Sequence, residues 1–353
     1  MTSHPGRLPR LRPLSDHLHL WTPSPSAGWG MANCGLVICP RGRSAAWIDS
    51  PYDRAMATDF LELGRPLLAE GTSIDRVIVT HGNGDHLWGA EVVPEAEIVS
   101  TRETLGHIDH EPDPEQLYAL VQGLDPETVL GWYLKRGFGR FDWKGTEVRR
   151  PTTVFTGELE LRVGEVPLHL IGLPPAHTAG DLLVHLPQQR TVFTGDVIFS
   201  HTAEQPGDHP VHWAGPLANV VSACERALAT GAETFVPGHG PVLDRAGVYG
   251  HIGYLEDVRE RAHRLHAAGV PGLEAARRII GEVHRPGMSL AERLVVTVGT
   301  EYRHLDGVTE FPDMLLTMSQ VAEVAWELEH PGLPAARSGD QHSADRSSAD
   351  SRG

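Results

Sequence analysis

The stretch His81-Gly82-Asn83-Gly84-Asp85-His86 places two imidazoles and a carboxylate directly after the apolar run Val77-Ile78-Val79. Zinc binds histidine nitrogen and carboxylate oxygen in a compact shell, so such a cluster at a strand end is typical of a divalent-metal site. Gly82 and Gly84 lack a Cβ, and we expect them to let the backbone turn sharply and direct the ligands to one point. A glycine-rich turn with a solvated His–Asp pair is the alternative for this stretch taken alone.

Three later fragments supply further residues of the same chemical type. They are Ala176-His177-Thr178-Ala179-Gly180-Asp181, Phe193-Thr194-Gly195-Asp196 and Pro237-Gly238-His239-Gly240. Each of the three, taken alone, is readily interpreted as an ordinary loop, turn or helix-capping segment. Their occurrence in this order after the hexapeptide favours one shared metal site.

The composition is typical of a globular protein, and the net charge limits the kinds of partner that the chain is expected to bind. The chain has 353 residues, of which 40% are hydrophobic and 22% charged, as in a globular protein that buries a substantial core. Its formal net charge of −16 argues against nucleic acid or an anionic membrane as partner, since both repel negative protein. No apolar run has the length of a transmembrane helix, and the N-terminal residues lack the apolar core of a secretory signal.

Cysteine usage indicates the compartment. Cys34, Cys39 and Cys224 are too few and too scattered for a disulfide framework, and they lack the close pairing of a thiolate zinc site. We therefore expect three buried thiols in a protein of the reducing cytoplasm.

Apolar periodicity predicts two strand series separated by a helical insert. Strands are predicted at 17–21, 35–39, 45–49, 77–79, 159–163, 168–171, 182–186 and 191–193. The segments 35–39 and 45–49 are predicted to form a hairpin, and Asp53 is predicted to begin a helix. Residues 101–144 are predicted to be mainly helical, and further helices are predicted at 249–265, 273–280 and 312–329. A strand, helix, strand order with the histidine motif at a strand end favours α/β layering.

The four motifs together resemble those of the metallo-β-lactamase fold superfamily, whose pattern is H-x-H-x-D-H followed by H, D and G-H. The resemblance runs from about Leu14 to Leu243. It implies an α/β fold, a four-layer αβ/βα sandwich with the metal site along one edge between the two sheets. Together with the helical pattern and the polar composition of the tail, it predicts three parts. These are 1–245 for the metallo-β-lactamase-like domain with a helical insert at about 101–145, 246–330 for a helical C-terminal extension, and 331–353 for a disordered tail.

The resemblance also assigns six metal ligands by position. The first metal position takes His81 and His177, the second takes Asp85, His86 and His239, and Asp196 bridges the two. Asp85 is in addition the implied catalytic residue, which orients the metal-bound water.

One position departs from the family pattern. The second histidine of the family motif is Asn83 in this chain, and an amide oxygen is a poorer zinc ligand than an imidazole. Two hypotheses follow. One is a mononuclear enzyme that uses Asp85, His86, His239 and Asp196, and the other is a dinuclear enzyme with a weak first site.

The implied activity is hydrolysis by a metal-activated water, with one or two Zn²⁺ per chain as the cofactor and iron as an alternative. We expect an activated acyl substrate such as a thioester or a lactone, because no dense basic cluster favours nucleic acid. Three alternatives stay open: an iron-dependent redox enzyme, a phosphodiester hydrolase, and a non-catalytic protein with an impaired metal site.

The expected partner is a small molecule, with neither nucleic acid nor membrane. We expect the helical insert to form an aromatic lid, and the C-terminal helices to complete the pocket or to form a homo-oligomer interface.

Overall fold

The computed structural model of the chain describes residues 10–25, 27–39, 43–283, 285, 287–308 and 310–332. The strands are β1 Arg10–Ser15, β2 Leu18–Thr22, β3 Cys34–Ile38, β4 Ala45–Ile48, β5 Ile74–Ile78, β6 Glu97–Thr101, β7 Thr153–Phe155, β8 Glu158–Val163, β9 Val166–Gly172, β10 Leu182–Leu186, β11 Thr191–Phe199, β12 Gly207–Asp208, β13 Thr234–His239 and β14 Met288–Ser289. The α-helices are α1 Arg54–Gly64, α2 Gly84–Leu87, α3 Arg102–His107, α4 Pro114–Gly123, α5 Val129–Phe138, α6 Leu217–Ala229, α7 Arg245–Ala267, α8 Gly272–Glu282, α9 Leu294–Leu305 and α10 Met314–Glu329.

Two large sheets form the centre of the fold. The first has seven strands in chain order, β1 to β7, and the second has five strands in the order β13-β11-β10-β9-β8. Neighbours from β1 to β4 are antiparallel, whereas β4 to β7 run parallel. In the second sheet only β11 and β13 are parallel. The parallel strands of both sheets therefore deliver the segments that follow them to one edge.

Three buried clusters show the order of the layers. One cluster joins the facing sides of the two sheets, for example Ile48 and Ile78 with Leu170 and Val184. A second cluster packs α1 and the insert against the outer face of the first sheet. A third packs α6 to α10 against the outer face of the second sheet. Strands buried on both faces lose the alternating pattern, which is why β3 is a continuous apolar run and β10 is interrupted only by His185. The structure confirms the expected four-layer αβ/βα sandwich.

The structure confirms the hairpin of β3 and β4 and the helix start at Asp53, whose side chain caps α1 by accepting from the Met56 N–H. The helical insert is confirmed as α3 to α5, and the predicted C-terminal helices are α7, α8 and α10. Among the elements that the prediction missed are the strands β1, β6 and β13 and the helices α6 and α9. Cys34, Cys39 and Cys224 are buried free thiols, as expected.

Two predictions about chain organisation stay predictions. The domain boundary at residue 245 is one of them, and the predicted disorder of residues 331–353 falls almost entirely on residues outside the described ranges. None of the described helices combines the length and apolarity needed to cross a bilayer.

The insert and the C-terminal extension contact each other above the sandwich edge. Helix α10 packs on α5, where Trp132 meets Trp326 edge to face at 5.2 Å between ring centroids, and Arg136 pairs with Glu329. These two elements together form one wall of the cavity described below.

Candidate metal centre

Four chain segments bring the six predicted ligands together at one edge of the sandwich. His81 follows β5, Asp85 and His86 lie in the short helix α2, and His177 lies in the loop between β9 and β10. Asp196 lies within β11, and His239 ends β13.

Asp196 lies at the centre of the cluster. Its Oδ1 is 3.1 Å from His86 Nε2, and its Oδ2 is 3.2 Å from His239 Nε2. The same Oδ2 is 3.5 Å from His177 Nε2 and 4.0 Å from His81 Nε2. Two sets of candidate ligand atoms result, the first with His81, His86 and Asp196, and the second with Asp85, His86 and His239. Asp85 contributes Oδ2, which is 3.3 Å from His239 Nε2.

Asp49 fixes the tautomers of two of these histidines. Its Oδ2 accepts from His86 Nδ1 at 2.9 Å and also from Thr80 Oγ1 at 2.9 Å. Because the Thr80 hydroxyl donates to Asp49, its oxygen accepts from His81 Nδ1 at 3.0 Å. In the neutral rings, Nε2 of His81 and Nε2 of His86 then carry lone pairs that face the cluster, and a carboxylate behind a histidine in this way is a common support for metal binding.

A second chain of hydrogen bonds leads from His177 to the insert. His177 Nδ1 donates to the Val211 carbonyl at 2.6 Å, and its Nε2 lies 2.7 Å from Asn83 Oδ1. Asn83 Nδ2 donates to Glu111 Oε1 at 2.9 Å, which also accepts from His107 Nε2 at 2.9 Å. Glu111 thereby fixes which end of the Asn83 amide faces His177.

Several buried polar atoms of the cluster have no hydrogen-bond partner in the described part of the chain. They include His81 Nε2, His86 Nε2 and Asp196 Oδ1. A buried polar atom without a partner costs free energy, whereas nitrogen and carboxylate oxygen atoms grouped in this way fit a divalent cation. The residues present therefore suit the metal that the motifs imply.

The charges of the cluster depend on one another. Burial alone would raise the pKa of Asp196, but His239 and His86 lower that pKa well below its usual value. Burial alone would lower the pKa of His239, yet Asp196 and Asp85 raise it to about 9. The pKa of His86 is likewise raised against burial by its carboxylate neighbours, whereas burial lowers the pKa of His81 well below its usual value.

Close packing requires glycine at several positions. Neither Gly82 nor Gly84 has a positive φ, so the turn of the motif does not use a left-handed backbone conformation at these residues. Gly84 is needed for space, because a Cβ there would lie 2.5 Å from the Trp88 ring. At Gly238 a Cβ would lie 1.8 Å from Asp196 Oδ1, so this position tolerates no side chain next to the cluster.

A cavity of about 450 Å³ borders the cluster. Of the predicted ligands, Asp85, His177, Asp196 and His239 line it, while His81 and His86 are buried behind them. The other walls are mainly apolar, from aromatic residues, the insert and the start of α10: Trp29, Tyr52, Trp88, Leu117, Leu120, Leu134, Phe138, Trp213, Phe311, Met314, Leu315 and Met318. The insert thus lines part of the pocket, with Phe138 as its aromatic contribution, and its role as a lid stays a prediction.

A family model described as the metallo-beta-lactamase superfamily matches residues 27–239. The chain belongs to this superfamily. A curated relative, the beta-lactamase-like protein 2 homolog of Caenorhabditis elegans, is 23% identical over 189 residues, which are 53% of this chain and 50% of the relative. The chain thus spans half the length of that relative.

Solved metallo-β-lactamases share low identity with the chain. The metallo-beta-lactamase from Pontibacter korlensis is 16% identical, with 70% of this chain and 99% of that one covered and a TM-score of 0.49. A structure of DIM-1 metallo-beta-lactamase exposed to ceftazidime is 15% identical, with 72% and 99% covered and a TM-score of 0.49. Membership of the superfamily supports a hydrolase-type function with bound metal.

Sequence reasoning missed three residues that shape this site. Asp49 directly follows β4, the buried neighbour of β5, and a polar residue at that position could have been recognised in the sequence. Glu111 and Arg293 lie far along the chain from every motif and gave no local signal. Asp181, the last residue of the His177 fragment, accepts from the Thr178 N–H and hydroxyl at 3.0 and 2.6 Å, and so holds the His177 loop.

Proposed function

We propose that the protein is a zinc-dependent hydrolase of activated acyl compounds, thioesters or lactones, that carry a bulky apolar group. One observation carries the proposal. Buried histidine and carboxylate atoms without hydrogen-bond partners, at His81, His86 and Asp196, converge beside a mainly apolar cavity.

The second metal position would be held by Asp85, His86 and His239, with Asp196 shared between the two positions. The first would be held by His81 and His177, completed by the amide oxygen of Asn83. Because His177 Nδ1 donates to a carbonyl, the neutral ring presents a lone pair at Nε2, and Asn83 Oδ1 faces that atom at 2.7 Å. Two lone pairs at this distance repel, and either a proton between the two atoms or a cation bound by both of them removes the repulsion.

This arrangement favours the dinuclear hypothesis with a weaker first position. An amide oxygen carries no net charge and binds zinc less strongly than an imidazole. Glu111 compensates in part by fixing the amide orientation through Asn83 Nδ2.

A bound divalent metal supplies a Lewis acid for the acyl carbonyl and lowers the pKa of a water molecule. The chain supplies the remaining functions. Asp85 lines the cavity, and His86 and His239 keep its pKa below the usual value despite its burial, so its carboxylate is ionised at neutral pH and accepts the proton of the attacking water. The apolar walls, including Trp88 and Phe138, exclude bulk water from the reacting carbonyl.

The charged and apolar residues that line the cavity favour an acyl substrate over a phosphodiester. Nucleic-acid backbones are bound by several arginine or lysine side chains, whereas Arg293 is the only arginine or lysine among the described residues of this cavity. The exposed side chains of Leu120, Phe311 and Leu315 at its rim suit an apolar acyl group.

The test is a substrate panel on the zinc-loaded protein: an aromatic acyl thioester, a lactone, a β-lactam and a phosphodiester. We expect hydrolysis of the thioester or the lactone and loss of turnover in Asp85→Asn and His86→Ala. The variant Asp59→Asn, an exposed position on α1, is the matched control and should keep full activity.

Thermal unfolding and zinc content of each variant separate loss of chemistry from loss of fold. Retained turnover in both Asp85→Asn and His86→Ala would overturn the site assignment. Hydrolysis of the phosphodiester alone would overturn the acyl proposal, and iron content with oxygen uptake would replace it by a redox function.

A further inference from the structure

Arg293 is a buried cation that the C-terminal extension brings to the same cavity. The residue lies directly before α9, its side chain is 1% exposed, and it lines the cavity together with His239. Phe199 lies between the two, with its ring stacked on His239 at 5.2 Å and its centroid 5.7 Å from Arg293 Cζ. The distance from Arg293 Cζ to the ring centroid of His239, a candidate metal ligand, is therefore at most the sum of these two distances.

Within the described residues, two of the three guanidinium nitrogens of Arg293 lack a hydrogen-bond partner. Nε and Nη1 of Arg293 are buried without a hydrogen-bond partner. The nearest carboxylate oxygen, Asp208 Oδ2, is 3.7 Å from Nη1 and already accepts from the Gly28 N–H at 2.6 Å. The other oxygen of Asp208 accepts from the Ser289 hydroxyl at 2.5 Å. Asp208 thus offsets the charge of Arg293, but it accepts no hydrogen bond from Nε or Nη1.

The surroundings hold the guanidinium in place. Arg293 Cζ lies 4.1 Å from the centroid of the Trp29 ring, a cation–π contact. Trp29 Nε1 donates to the Tyr133 hydroxyl at 2.9 Å, and that hydroxyl donates to Glu292 Oε1 at 3.0 Å. The N-terminal segment, the insert and the C-terminal extension therefore all converge on this one side chain. Such support is typical of a group that is preorganised for a ligand.

We propose that Arg293 binds an anionic oxygen, a carboxylate, of the acyl substrate while the acyl carbonyl lies at the metal centre. The proposal rests on the proposed hydrolase function and names a property of its substrate: an activated acyl compound with an apolar body and a carboxylate. A carboxylate fits because it accepts charge-assisted hydrogen bonds from guanidinium N–H groups, which are stronger than those to a neutral oxygen.

The experiment compares two substrates that differ only in this group, an aromatic acyl thioester with a carboxylate on its acyl part and the methyl ester of that carboxylate. Arg293→Met removes the charge and keeps an apolar side chain, and Arg293→Lys keeps the charge. In Arg293→Met we expect kcat/KM to fall at least about tenfold more for the carboxylate than for the methyl ester, mainly through KM. Arg293→Lys should recover part of that difference.

Arg278→Met, on α8 outside the cavity, is the control and should lower neither value. Equal losses for both substrates in Arg293→Met, with zinc content and unfolding temperature unchanged, would overturn the proposal and leave Arg293 a structural role.

A binding measurement keeps this test independent of turnover. Calorimetry of 4-phenylbutanoate and its neutral amide on the zinc-loaded wild type should show tighter binding of the carboxylate, and Arg293→Met should remove most of that preference while the zinc ligands stay intact. If no substrate is hydrolysed but this Arg293-dependent preference is found, the hydrolase proposal fails and the anion site stands. If thioesters are hydrolysed but the preference does not depend on Arg293, the anion site fails alone. If Arg293→Met does not fold, the wild type and Arg293→Lys are measured instead. If neither protein binds the carboxylate more tightly than the amide, the anion site is contradicted.

Discussion

Replacing Glu111 by glutamine will weaken zinc binding at the first metal position about ten- to a hundredfold and leave the second position unchanged. Glu111 Oε1 accepts from Asn83 Nδ2 and from His107 Nε2, both at 2.9 Å. Glutamine keeps the shape but loses the charge, and its amide can turn its own N–H₂ toward Asn83. The Asn83 amide then loses its fixed orientation, and its oxygen no longer faces His177.

The magnitude follows from the type of bond that is lost. A hydrogen bond to a charged acceptor contributes about 1.5–3 kcal/mol, and about 1.4 kcal/mol corresponds to tenfold in affinity. Substitution of an outer-shell partner of a metal ligand costs about ten- to a hundredfold in other metal sites, which agrees. In the described structure Asp85, His86 and His239 make no hydrogen bond to Glu111, so the second position should keep its affinity.

The assay is a titration of metal-free protein with zinc in competition with a chromophoric chelator, which yields two separate affinities. Glu115→Gln, an exposed position at the start of α4, is the matched control and should match the wild type. Wild-type affinity at both positions of Glu111→Gln would refute the role given to Asn83, and equal weakening at both would refute the separation of the two positions.

Three further predictions concern the support of the site. Asp49→Asn should weaken zinc binding about tenfold or more, because the tautomers of His81 and His86 both depend on that carboxylate; isothermal titration measures it, and an affinity within twofold of the wild type would contradict the tautomer argument. Gly238→Ala should lower the unfolding temperature and the zinc content, because its Cβ would lie 1.8 Å from Asp196 Oδ1. Gly253→Ala on α7, where a Cβ meets no atom within 4 Å, should instead stabilise the protein by up to about 1 kcal/mol. A higher unfolding temperature for Gly238→Ala than for Gly253→Ala would contradict the packing described beside Asp196. Asp208 is buried, yet Arg293, Ser289 and the Gly28 N–H keep its pKa below the usual value. A lowered folded-state pKa stabilises the fold above the unfolded pKa of about 4 and ceases to do so as the pH falls through the folded value. Asp208→Asn should therefore reduce the free energy of unfolding at pH 7, with a smaller difference below about pH 4; urea unfolding at both values tests this, and a difference independent of pH would contradict it.

The structure brings the six predicted ligands together, and each of them sits in a short motif with its own local signature. The hexapeptide around Asp85, the Gly195-Asp196 step and the Gly238-His239 turn are all visible without knowledge of the fold. The partners that orient the ligands are not visible in this way. Glu111 reaches Asn83 through the insert, and Arg293 reaches the cavity from the far end of the chain, so their positions depend on tertiary packing.

One of the missed helices has a physical cause. Helix α9 is buried over most of its length and is rich in Val and Thr, so it lacks the one-sided apolar pattern that marks a surface helix. Helix α6 has no such cause, because its buried residues from Leu217 to Leu228 recur at helical spacing and could have been identified from the sequence. The strands β3 and β4 and the amphipathic helix α1, by contrast, carry strong local patterns and a capping residue at Asp53.

The central claim is that this cluster of histidines and carboxylates holds a metal that hydrolyses an acyl substrate. The most direct measurement adds zinc in steps to metal-free protein and follows hydrolysis of an aromatic acyl thioester alongside the amount of bound zinc. The rate should rise from background with bound zinc and stay at background in Asp196→Asn. Stoichiometric zinc binding with background rates for both thioester and lactone would contradict the claim.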